Sequence, residues 1–131
     1  MKKYGVVGLL GLALAGLLAV PSAASAADDD LERFLAVYDD NVTLILPNGA
    51  IRNTKTGARE HWRGVFASAI WTAKFTELKR TVDGCHSAVL TSDAIFKIPS
   101  RNYKLHFVNS VSFKRDHGQW HIVLDQSTTI P

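Results

Sequence analysis

Apolar residues recur with two different periods along this chain, and the change of period divides it. Leu31, Phe34, Leu35 and Tyr38 fall at i, i+3, i+4 and i+7, the stripe of an amphipathic helix. Asp28, Asp29 and Asp30 stand at its start, where carboxylates complement unpaired N–H groups and the positive end of the helix dipole. Asp39-Asp40-Asn41 suit a turn at its end. Val42-Thr43-Leu44-Ile45-Leu46 then reads as a short strand closed by Pro47-Asn48-Gly49, and Ala50-Ile51-Arg52 can pair back on it. Thr56-Gly57-Ala58-Arg59-Glu60 opens a second helix, with Trp62, Val65, Phe66 and Ala69 as its apolar stripe. After Ile70 the period becomes two. The alternation predicts strands over 71–82, 87–98, 103–114 and 119–129, joined by turns at Asp83-Gly84, Pro99-Ser100-Arg101-Asn102 and Asp116-His117-Gly118. Consecutive long strands with tight connections predict an antiparallel meander. Helices first and sheet last make an α+β domain, two helices covering one face of a curved antiparallel sheet.

The first 26 residues have a different character. Lys2 and Lys3 precede an uncharged stretch from Tyr4 to Val20, Pro21 breaks it, and Ala24-Ser25-Ala26 offers small residues at cleavage positions. This is the layout of a secretory signal peptide, and the apolar run is short for a membrane anchor. The expected organisation is a signal over 1–26 and a single domain over 27–131, exported to the periplasm or medium without a stable membrane anchor. Loss of Lys2 and Lys3 takes the 15 basic residues to 13 against 12 acidic ones. That near balance removes the basic surplus a nucleic-acid partner would require. Cys85 is the sole cysteine, so no internal disulfide can form, and a small buried strand residue is the expected role.

The run Phe34-Leu35-Ala36-Val37-Tyr38-Asp39-Asp40-Asn41-Val42, the strand ending Leu46-Pro47-Asn48-Gly49, the helix opening Gly57-Ala58-Arg59-Glu60, and the ending Gly118-Gln119-Trp120-His121-Ile122-Val123-Leu124-Asp125-Gln126-Ser127 together resemble the nuclear transport factor 2-like superfamily. The resemblance spans residues 31–130 and rests on order and spacing. It implies a strongly curved antiparallel sheet wrapped around helices as a cone-shaped roll, usually with an apolar pocket. It also implies many functions, from ketosteroid isomerases, polyketide cyclases and dehydratases to non-catalytic binding and association domains. Members usually carry a longer helix before the segment matching Leu31–Tyr38. If the chain is cut at Ala26 that helix is missing, and uncovered apolar sheet would favour a homodimer. The isomerase's base position holds Leu46 here, which argues against steroid isomerisation.

Asp125 resembles the position from which related cyclases present an acid to the cavity. Strict alternation puts it on one strand face with His121, Val123 and Ser127, and leaves open whether that face lines the pocket or meets solvent. Asn109 interrupts an apolar row formed by Leu105, Phe107, Val111 and Phe113. A buried amide needs a partner, either a ligand carbonyl or a neighbouring side chain. Tyr38 serves either core packing or the pocket. Asp125 and Asn109 are thus the candidate catalytic residues, and Tyr38, Phe107, Val111, His121 and Val123 the candidate ligand contacts. The five histidines lack metal-ligand spacing, and no phosphate loop or nucleophile elbow is present, so no cofactor or metal is expected. The leading reading is a secreted domain that binds a small apolar molecule or self-associates. The alternative is a cofactor-independent lyase, cyclase or isomerase acting on an apolar carbonyl or polyketide-like substrate.

Overall fold

The computed structural model describes residues 24–68 and 70–131. The expected signal and the question of a further N-terminal helix fall almost wholly outside the described residues. Helix α1 spans Ala24–Leu35, so a cut after Ala26 would fall in its first turn. Its buried residues Leu31, Phe34 and Leu35 lie in the C-terminal half, beyond that cut. Strands β1 (Tyr38–Ile45) and β2 (Ile51–Asn53) follow, then helix α2 (Thr54–Ser68). Strands β3 (Thr72–Asp83), β4 (Ser87–Ile98), β5 (Tyr103–Asp116) and β6 (Gln119–Thr129) complete the chain.

The six strands form one sheet in the order β2-β1-β6-β5-β4-β3. β3 to β6 are the expected meander, closed between β5 and β6 by His117 and Gly118, both at positive φ. That pairing of left-handed residues gives a two-residue turn whose twist matches the flanking strands. The sheet corrects the purely antiparallel expectation, because β1 runs parallel to β6. The purely antiparallel expectation followed from reading neighbours in sequence as neighbours in space, whereas β1–β6 pairing joins the two ends of the domain. The sheet is also open, with β2 and β3 as its edges, and is not the strongly curled roll expected.

Tyr38 supplies a second correction. Its position on the helical stripe predicted a helix residue, but α1 ends at Leu35 and Tyr38 begins β1. The Ile122 amide donates to the Val37 carbonyl at 2.7 Å, which ties the chain to β6 at this point. Tyr38, Trp71, Phe113, Leu35, Leu44 and Ile122 are fully buried between the helices and the inner sheet face. Each such side chain contributes about 1.5–3 kcal/mol by leaving water. Cys85, expected in a strand interior, sits exposed in the turn between β3 and β4.

Candidate functional site

The long strands β4, β5 and β6 alternate apolar and polar residues, so their inner rows can pack on helices while their outer rows meet water. Between those inner rows and the helices lies a cavity of about 440 Å³. Phe34 of α1 and His61, Trp62 and Val65 of α2 form one wall. Aromatic residues from three strands, Phe75, Phe96 and Phe107, line the other, with Tyr103 beside them. Phe75 meets Phe107 edge-on at 6.5 Å, and Phe96 meets Tyr103 at 6.2 Å. Edge-to-face pairs of this kind are a favoured packing of aromatic rings and give the cavity an apolar wall.

One corner of the cavity is polar. Asp125 is 8% exposed and Asn109 also 8%, and both line the cavity. The Asn109 amide Nδ2 donates to Asp125 Oδ1 at 2.7 Å, with longer contacts to Ser127 Oγ at 3.2 Å and the Gln126 carbonyl at 3.3 Å. A carboxylate and a carbonyl only accept, so these partners fix the orientation of the amide. The Tyr38 hydroxyl donates to Asp125 Oδ2 at 2.5 Å and accepts from Trp62 Nε1 at 3.2 Å. Both oxygens of one buried carboxylate are therefore held by side chains from two other strands, β1 and β5.

Burial dominates the proton affinity of this cluster. It pushes the Asp125 carboxyl above the usual range, against the opposing pull of the Tyr38 and Asn109 hydrogen bonds. Burial also lifts the Tyr38 phenol well above its ordinary value, reinforced by the charge and hydrogen bond of Asp125. Tyr38 is consequently a neutral donor. His61 on the helical wall is held below its usual value by burial and by Arg52. Burial thus pushes a carboxyl up and an imidazole down around one apolar space.

Of the candidates read from sequence, Asp125, Asn109, Phe107 and Val111 line the cavity. Tyr38 lies behind the wall, linked to the space through its hydrogen bonds with the lining residues Asp125 and Trp62. His121 and Val123 fall outside the lining. Strict alternation placed both with Asp125, but β6 contains a bulge: Phe113 pairs with Ile122 and Ser112 with Leu124, leaving Val123 as the extra residue. The bulge reverses the alternation. Trp120 and Ile122 point inward before it, and Asp125, Ser127 and Thr129 after it.

Among the polar-bearing residues of the lining, His61, Trp62 and Ser92 were not read as site residues from the sequence, whereas Ser127 was placed on the face of Asp125. Ser92 carried the same signal as Asn109, a lone polar residue in the inner row Ala88, Leu90, Ala94 and Phe96. Trp62 was legible only as part of a helix stripe. No cluster of metal-ligating side chains occurs among the described residues.

No family model matches the sequence, and no curated protein resembles it closely enough in sequence to count as a relative. Solved structures do match. A protein of Novosphingobium aromaticivorans assigned provisionally as a scytalone dehydratase superposes with a TM-score of 0.77 at 10% identity, over 98% of this chain and 85% of its own. One from the same organism, assigned provisionally as an aromatic ring hydroxylase, gives 0.75 at 16% identity, over 96% and 87%. A nuclear transport factor 2-like protein of unknown function from Pseudomonas aeruginosa gives 0.72 at 19%, over 100% of both chains. The chain has the nuclear transport factor 2-like, or cystatin-like, fold.

Proposed function

We propose that this protein is a cofactor-independent enzyme of the lyase, cyclase or isomerase type, moving protons on an apolar carbonyl or polyketide-like substrate. The observation that carries this reading is Asp125, a carboxyl group buried in an aromatic cavity and held from both sides by Tyr38 and Asn109. A carboxylate in such a place is a stronger base than one in water, and its aim is fixed before substrate arrives. In the chemistry proposed, a C–H bond beside the substrate carbonyl breaks, its proton passes to an Asp125 oxygen, and the electron pair moves onto the carbonyl oxygen. Return of the proton to another carbon completes an isomerisation, and loss of a hydroxide in its place completes an elimination. Tyr38 is a positioning residue in this scheme. His61, on the facing wall, is the second group able to exchange a proton. Two fold neighbours assigned to dehydration and to aromatic-ring hydroxylation support an apolar cyclic substrate.

Deuterium exchange at the α-carbons of 2-tetralone, an apolar cyclic ketone, tests the proton-transfer step directly. The protein should accelerate exchange over buffer, and Asp125→Asn should lower that acceleration by about 10²–10⁴-fold. The substituted amide keeps an acceptor for Asn109 and offers a donor to the Tyr38 oxygen, so folding should survive. Binding of 2-tetralone without faster exchange, or exchange indifferent to the substitution, would leave a binding protein in place of an enzyme.

A further inference from the structure

Three inner-face positions lie in register across the cavity floor. Ser92 pairs with Asn109 between β4 and β5, and Asn109 pairs with Ser127 between β5 and β6. Directly paired residues place their Cβ atoms about 4.5–5.5 Å apart. Ser127 is engaged by the Asn109 amide. Ser92 differs from it. Its residue is only 5% exposed and lines the cavity, yet its hydroxyl makes no hydrogen bond among the described residues. Asn109 leaves a matching gap. Its Nδ2 is committed to Asp125, Ser127 and Gln126, while its Oδ1 accepts nothing among the described residues. Neither oxygen is sealed from the open space.

A hydroxyl and an amide oxygen without protein partners, side by side and open to an otherwise aromatic chamber, are left for something in that space to satisfy. Their chemistry specifies that something. The Asn109 oxygen only accepts, so the ligand group must donate. Ser92 both donates and accepts, so the same ligand atom can receive its proton. A carbonyl, ether or halogen cannot donate, and a carboxylate would bring a second negative charge beside Asp125. We infer that Ser92 and Asn109 form a subsite for a neutral hydroxyl group (alcohol, phenol or enol) on a ring held by the aromatic walls, with Ser92 as the specificity-determining residue. The inference rests on the cavity being the small-molecule site proposed above.

Equilibrium binding of two probes tests it without any turnover. 2-Naphthol carries the donor, and 2-methoxynaphthalene presents the same ring and oxygen without it. Calorimetric titration of the protein should give 2-naphthol at least ~10-fold tighter binding than the methyl ether, the discrimination expected when a built hydrogen-bonding site meets a ligand lacking the donor. Ser92→Ala should reduce that ratio several-fold by weakening 2-naphthol alone, and Ser92→Thr, which keeps the hydroxyl, should restore it. Equal affinities in the unsubstituted protein, or a Ser92→Ala protein that keeps the full ratio, would overturn the subsite. An equal loss for both probes would overturn it too, because that marks a change of cavity shape. These outcomes are separate from the exchange experiment: loss of exchange with the ratio intact removes the enzyme and leaves the subsite, and the reverse result removes the subsite alone.

Discussion

Strands β4 to β6 carry a carboxylate with close hydrogen-bonding partners on each face, and the two differ both in those partners and in their surroundings. On the inner face Asp125 meets Tyr38 at 2.5 Å and Asn109 at 2.7 Å. On the outer face Asp93 of β4 meets His106 of β5 at 2.6 Å. The outer side chains are 31% and 40% exposed, so water competes for every bond and screens every charge. The inner carboxyl is only 8% exposed, so the bonds it makes stand in for hydration it has lost. Near-equal distances therefore mean different things. The inner pair is an organised chemical group, and the outer pair is an adjustable surface contact.

Substitutions on the two faces should separate accordingly. Tyr38→Phe removes one hydroxyl, yet it strips a donor from Asp125 and an acceptor from Trp62 Nε1 together. Denaturant melts near neutral pH should show a loss of about 2–3 kcal/mol. A loss below about 0.5 kcal/mol would mean the inner cluster is solvated after all. The pH dependence of stability should sharpen the contrast. The Asp125 carboxyl is raised above its ordinary value of 3.8 by burial, so the folded state favours its protonated form. The stability it contributes is complete below that ordinary value and is lost as pH rises through the raised one. Asp125→Asn should flatten this descending limb in melts across the acid range. His61 acts with the opposite sign. Burial depresses it below 6.5, so its contribution is present above that value and declines as pH falls through the depressed one. The smallest effect belongs to the outer face, where His106→Ala should cost less than about 1 kcal/mol in the same melts.

Much of this arrangement was legible beforehand, for reasons local to each segment. The bounds of β4 and β6 follow from period-two alternation between turn residues, which depends on few residues at a time. Asn109 announced itself as an amide in an apolar row, and Ser92 could have done so by the same argument. The errors share a cause. His121 and Val123 were assigned to the cavity face by assuming an unbroken strand, and one unpaired residue at Val123 reversed the phase. Tyr38 continued a helical stripe in sequence, but pairing with β6 converted it to the first residue of a strand. The antiparallel expectation failed at β1 for the same reason, since its partner lies at the far end of the chain.

Among the described residues, the sequence by itself determined the order of the main elements, two helices and the meander, because amphipathic period and turn chemistry act over a few residues. It also determined that a carboxyl and an amide would stand on long strands flanked by apolar neighbours. Tertiary structure alone decided that Asp125 faces inward, that Tyr38 reaches it from 87 positions away, and that Trp62 and His61 complete the opposite wall. Those facts depend on a bulge and on a parallel pairing between distant strands, whose free energies come from the whole packed core.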